Sequence, residues 1–127
     1  MAVPTDITSG VQTVTSAGPV APTGGLDVSG VQADFMVVVL VTSLTAGKSA
    51  RVSLEGTSNN FTNTVSIELL QFTGLQLPVA DLRLSIRRYQ LPSSIVNDFG
   101  FVGNKIRINV LALEPQSVLE IHGWLET

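Results

Sequence analysis

Cysteine is absent and charge is scarce: the 127-residue chain holds seven lysines and arginines and ten aspartates and glutamates, 13% of its residues. The missing cysteines exclude disulfides and thiolate metal sites, and leave the redox compartment open. With a single histidine, metal binding would fall mainly to carboxylates. Beyond residue 34 these are scattered at positions 55, 68, 81, 98, 114, 120 and 126, with no Asp-x-Asp-x-Asp-Gly calcium loop. The longest apolar run, Phe35 to Val41, is far short of the roughly 20 residues a membrane helix needs. Met1-Ala2-Val3-Pro4-Thr5-Asp6 has neither a basic stretch nor an apolar one, so no secretory signal is expected there. The net charge of −3 offers no electrostatic footprint for nucleic acid. Ordinary domains carry about 25% charged residues, which keep their surfaces in water. The shortage here implies an exterior covered in good part by other protein.

The chain divides in two. Residues 1–34 carry Asp6, Asp27 and Asp34 and no cation, so the whole net charge lies there; residues 35–127 hold seven charges of each sign. The first part has eight Ser or Thr, five Gly and three Pro among its 34 positions, a composition that prevents a long helix and interrupts strand pairing. Its apolar residues (Val3, Ile7, Val11, Val14, Val20, Leu26, Val28 and Val31) are too many for a solvated tail. An extended arm is expected over 1–34, with a short strand near Val11–Thr15. It is expected to reach a neighbouring molecule, so that its removal costs binding rather than stability.

From residue 35 onward the period is two. Phe35–Leu44 is apolar on both sides, with Phe35, Val37, Val39 and Val41 on one and Met36, Val38, Leu40 and Leu44 on the other. A strand of that kind is covered on both faces, the second by the arm or a neighbouring subunit. Ala50–Thr57, Val65–Phe72, Leu82–Tyr89, Lys105–Leu113 and Val118–Glu126 alternate in turn, each set off by turn chemistry. Val65, Ile67 and Leu69 are expected on one face of their strand. Pro92–Asn104 reads as a long loop with one helical turn at Ser93–Asp98. Six strands without a convincing helix predict an all-β, antiparallel sandwich over 35–127, jelly-roll-like once arm strands are counted.

Chemistry-bearing patterns are sparse. A Ser–His–acid triad would have to use His122, between Glu120 and Trp124 on an alternating strand, and no Gly-x-Ser-x-Gly elbow accompanies it. Glu120 and Glu126 are six positions apart, about 20 Å along a strand, too far for paired-carboxylate glycoside hydrolysis. Phe99-Gly100-Phe101-Val102-Gly103-Asn104 lacks the Lys-Ser/Thr ending of a phosphate loop. No enzyme, metal or cofactor is expected.

The same residues read better as contact surface. Phe35, Val37 and Val39 are candidates for assembly through the apolar strand, and Phe99 and Phe101 for a contact knob or for core. Arg83 and Arg87 could dock an acidic protein surface or pair with Glu55, Glu68 or Glu120 across strands. Trp124 suits a subunit interface, plain packing, or a sugar-stacking platform with His122 and Glu120.

Phe35-Met-Val-Val-Val-Leu-Val-Thr-Ser, the Thr-Ala-Gly-Lys-Ser turn and Arg51-Val-Ser-Leu-Glu-Gly-Thr-Ser-Asn-Asn-Phe-Thr resemble the small capsid cement proteins of tailed bacteriophages. Asn104-Lys-Ile-Arg-Ile-Asn-Val and the closing strand through Gly123-Trp124-Leu125 fit the same layout, over residues 35–126. The resemblance implies a jelly-roll or sandwich, a homotrimer bound outside the major capsid protein shell, and no cofactor. It places the chain on the virion exterior, made in the bacterial host cytoplasm, where it clamps the expanded head. Another structural virion component and a carbohydrate-binding sandwich are the alternatives.

Overall fold

The computed structural model describes residues 4–31, 34–77 and 81–127. Val3 of the arm and Pro78, at the end of the break after the third body strand, lie outside them. Four short arm strands come first: β1 (Pro4–Asp6), β2 (Gln12–Val14), β3 (Gly18–Pro19) and β4 (Leu26–Asp27). The body follows with β5 (Met36–Leu44), β6 (Ser49–Thr57), β7 (Val65–Thr73), β8 (Leu82–Arg87), β9 (Val96–Asn97), β10 (Gly100–Phe101), β11 (Lys105–Leu113) and β12 (Leu119–Glu126).

Two antiparallel sheets face each other as a sandwich. One runs β1-β12-β5-β8 with β2 also on β12; the other runs β3-β11-β6-β7 with β4 also on β11. The inward residues of the alternating strands make one core: Val37, Val39 and Val41 from β5 and Ile121 from β12 meet Leu54 from β6 and Ile108 from β11. Gly123 marks how closely the sheets approach, since a Cβ there would stand 2.8 Å from Ile108 Cγ1 in the opposite sheet.

Three β-bulges shift the expected faces. In the β11–β6 pairing Val110 meets Val52 but Ala112 meets Arg51, so Leu111 is the extra residue, and Leu113 packs against the core on the side where Ala112 was expected. The pairing of β5 with β12 slips so that Ser43 meets Glu120 and Val41 meets Ile121. Thr42 is the extra residue, and Leu44, expected on the outer side, turns into the core. The β6–β7 pairing slips where Val52 meets Leu70 and Ser53 meets Glu68. Leu69 is the extra residue there, and past it Phe72 is the side chain buried in the core.

The short strand expected near Val11–Thr15 is β2. The rest of the arm is built into the sandwich as well. β1 and β2 follow one another along the open edge of β12, and β3 and β4 do the same along β11. Between them Ile7 and Thr8 both donate their N–H to the Gly123 carbonyl, at 2.8 and 3.0 Å. Val20 N–H reaches the Ile108 carbonyl at 2.8 Å, and Val28 N–H reaches that of Asn104 at 2.8 Å. Ile7, Val20 and Val28 are buried in the core. The arm thus covers one backbone edge of each sheet, β12 and β11, which would otherwise invite pairing with another chain. Gly25 permits the tightest part of the path. Its φ is +74°, and a Cβ there would fall 2.5 Å from the Ile106 carbonyl oxygen.

The helical turn expected over Ser93–Asp98 is a single turn at Pro92–Val96, and it goes no further. The Pro92 carbonyl accepts from Ile95 N–H at 2.9 Å and from Val96 N–H at 3.1 Å. The chain then folds into the β9–β10 hairpin. Leu91, Ile95 and Val96 are buried, and this apolar anchoring holds the segment against the sandwich as a hairpin.

Candidate interaction surfaces

Alternation along β12 points Glu120, His122, Trp124 and Glu126 away from the core, and β8 does the same with Arg83, Ser85 and Arg87. Pairing through β5 sets Trp124, Val38 and Ser85 in one row, and His122, Leu40 and Arg83 in the next. The His122 and Trp124 rings lie 4.8 Å apart, tilted by 43°. The Arg83 guanidinium carbon stands 5.7 Å from the Trp124 ring centroid, within cation–π range. Trp124 Nε1 donates to Glu126 Oε1 at 2.9 Å. His122 Nε2 meets Asp6 Oδ1 of β1 at 2.9 Å, and Asp6 Oδ2 accepts from Gly10 N–H at 3.2 Å. The surface is therefore a charged and aromatic mosaic. Among the described residues no serine or threonine hydroxyl bonds to His122, so its pairing with Asp6 lacks the nucleophile of a triad.

On the outside of the other sheet, arginines pair with glutamates across strands. Arg107 Nε is 2.7 Å from Glu55 Oε2, the two side chains being 15% and 9% exposed. Asn109 Nδ2 donates to Glu55 Oε1 at 2.7 Å, which leaves the buried Asn109 Oδ1 without a hydrogen bond. Arg107 Nη1 also donates to the Thr23 carbonyl of the arm at 3.0 Å, and its guanidinium carbon lies 3.8 Å from the Phe61 ring centroid. Arg51 holds Glu68 in a fork, at 2.8 and 3.0 Å. That fork lowers the Glu68 pKa from its ordinary value and raises that of Arg51. Among the described residues Arg83 and Arg87 form no such carboxylate pair. Arg88 Nη2 instead donates to the Asn97 carbonyl at 2.6 Å.

The segment 88–104 builds one end of the sandwich and two depressions. The first, about 640 Å³, opens between Asp34, Arg88, Tyr89, Leu91, Asn97 and Asp98, and Tyr89 is 78% exposed. The second, about 170 Å³, lies between the β6–β7 turn and residues 94–106; Thr57, Val65, Ile95, Phe101, Val102 and Ile106 are among its walls. The Thr57 hydroxyl shapes that turn by donating to the Asn63 carbonyl at 2.7 Å and accepting from Phe61 N–H at 3.0 Å. At the hairpin tip Phe99 is 84% exposed, its N–H donated to Asn97 Oδ1 at 2.8 Å.

The candidate interface residues separate accordingly. Phe35, Val37 and Val39 are buried core residues, so they offer no surface to a partner; the side chains of that strand facing outward are Met36, Val38 and Leu40. Phe101 stacks on Phe35, centroids 4.5 Å apart, and belongs to the wall of the small pocket. Arg83 and Trp124 come together, Arg87 shares their face opposite Met36, and Phe99 stands at the other site. Sequence reasoning missed the Asp6–His122 pair and the Val65 and Val102 walls. These residues meet only through the sheet order and carry no local pattern.

Among the described residues, no group of three His, Asp or Glu side chains stands close enough to hold a metal ion. Among them, too, no helix is long and apolar enough to cross a membrane. In comparisons with known proteins, no family model, no curated protein and no solved structure matches the chain.

Proposed function

We propose that this chain is a non-enzymatic structural protein that binds the outside of a phage capsid and stabilises the head, as a homotrimeric decoration protein contacting the major capsid protein. On this reading it is made in the bacterial cytoplasm and ends on the virion exterior. The observation that carries it is the pair of aromatic side chains left in water at the loop end: Tyr89 at 78% and Phe99 at 84% exposure, on a chain with 13% charged residues. Exposed aromatics of this kind anchor protein interfaces when they find a pocket. Strand order supports a jelly roll. Counting the arm along β12 as the first strand and along β11 as the second, the sheets read 1-8-3-6 and 2-7-4-5, the wrapping of a double Greek key. That fold serves viral coats and sugar-binding domains alike, so it supports the reading without carrying it.

Co-sedimentation with expanded heads of a phage whose genome encodes this chain tests the proposal. Saturable binding that raises the temperature of head disruption is expected. Heads that pellet without the chain would overturn it, and binding to the tail or portal instead would favour another structural virion role.

A carbohydrate-binding sandwich is the second reading. It is favoured by the open cleft in which the flat Tyr89 ring stands beside Asp34, Asn97 and Asp98. Trp124 is the poorer platform, because Arg83 and His122 already pack against its ring. A glycan array with hits that vanish in Tyr89→Ala would support this second reading.

A further inference from the structure

We infer that Phe99 of one copy of the chain seats in the 170 Å³ pocket of a second copy, which deepens the self-association proposed above by giving it a contact. Both halves of such a joint are present on one molecule. The knob is Phe99, at the two-residue tip between β9 and β10, with its ring in water. The hole lies beside the same hairpin. Ile95 and Ile106, both buried, and Phe101 contribute apolar walls, and no charged side chain lines it. Val65 and Val102 add apolar walls that are 40% and 50% exposed. Phe99 does not line its own pocket.

Size fits as well as polarity. A cavity of about 150 Å³ lined by aliphatic and aromatic side chains accepts benzene, so 170 Å³ holds one phenyl ring. Seating the ring would take Phe99 out of water and cover Val65 and Val102 at once, the arrangement of a central anchor in a dry pocket. A foreign partner would need only one of the two halves. Their presence on one chain is what selects a second copy. Made head to tail the contact closes a ring where the rotation between copies closes and otherwise runs on as a filament; made reciprocally it closes a pair.

The chain contains no cysteine, which makes the joint directly testable. Sedimentation of the full chain is expected to give a multiple of 13.4 kDa. Phe99→Ser and the pocket-filling Thr64→Trp are each expected to return it to the single-chain mass without lowering the melting temperature, since both positions are exposed. Mixing Phe99→Cys chains with Ser94→Cys chains should give a disulfide between the two kinds, faster than either kind links to itself. A wild-type chain of single-chain mass up to its solubility limit would overturn the inference. So would a multimer untouched by both variants, or Phe99→Cys chains that link to one another as fast as to Ser94→Cys. Head binding is read separately. A chain that binds heads but never self-associates sinks this contact and the homotrimer while leaving the coat role standing, and one that self-associates through Phe99 but ignores heads sinks the coat reading alone.

Discussion

Arg83 and Trp124 meet above Val38. They stand on β8 and β12, which are not neighbours; β5 runs between them. Adjacent strands lie about 4.8 Å apart, so two side chains whose guanidinium carbon and indole centroid are 5.7 Å apart must lean toward each other across the middle strand. Val38, paired with Trp124 on one side and Ser85 on the other, is 0% exposed although it points away from the core. The second face of the most apolar strand is thus covered at its centre by the chain's own side chains.

Removing that cover should therefore cost stability in the isolated chain. A fully buried Trp→Ala change costs about 3–5 kcal/mol. For the half-buried Trp124, Trp124→Ala should lose about 2 kcal/mol, and Arg83→Ala about 1 kcal/mol through the lost cation–π contact and packing. Urea unfolding of both variants and of the double mutant measures this. Strictly additive losses would mean that the two side chains do not interact.

The arm was expected to serve a neighbour, yet it supplies Ile7, Val20 and Val28 to its own core and covers two strand edges. Ile7→Ala should cost about 3 kcal/mol and lower the melting temperature by about 10 °C. Deleting residues 1–30 should lower it further or prevent folding. A truncated chain that melts with the full one would show that the arm contributes nothing to the fold.

Arg107 ties four parts of the molecule together: Glu55 on β6, its own strand β11, Thr23 of the arm and Phe61 of the turn. Losing one partner of a buried pair leaves the other charge uncompensated, at about 3–5 kcal/mol. Arg107→Ala should fall at the lower end, about 3 kcal/mol, because Asn109 still donates to Glu55. A loss below about 1 kcal/mol, the range of exposed pairs, would show the pair to be screened by water.

Glu68 lies on the surface, and its effect is best read by titration. The Arg51 fork holds it below its ordinary value of 4.5, so its folded pKa is below its unfolded one. Its contribution is present above the unfolded value and is lost as pH falls through the folded one. Carboxyl-carbon NMR should show Glu68 returning to the ordinary range in Arg51→Ala. No change would mean that the fork is not populated in solution.

Gly123→Ala tests the closeness of the two sheets. Its backbone conformation suits any residue, but the new methyl would meet Ile108 at 2.8 Å. Overpacking of this kind costs about 1–3 kcal/mol. Gly123→Ala/Ile108→Val removes only Cδ1, at 3.4 Å, and keeps Cγ1, so it should recover little of it. A stable single variant would mean that the sheets can part at little cost.

Much of the strand plan is legible in the order of residues, because the two-residue period is a local property. Lys105–Leu113 forms with the bounds read and with Ile106, Ile108 and Val110 inward, though the bulge at Leu111 turns Leu113 rather than Ala112 toward the core, and the inward sets Ala50, Val52 and Leu54 and Leu119, Ile121 and Leu125 are core. The scarcity of charge and the lack of cysteine likewise need no structure to be seen. What the tertiary structure decided is everything that depends on which strand lies beside which. Thr42 bulges only because β12 pairs across from it, and that bulge turns Leu44 inward. Asp6 reaches His122 across 116 positions because the arm takes the open edge of β12. Arg83 finds Trp124 because β5, and no other strand, separates them. Phe35, Val37 and Val39 show the same division: their alternation was plain, but only the opposing sheet determined that theirs is the buried side. A strand's pattern says that it has two faces, and what each face meets is a property of the other strands.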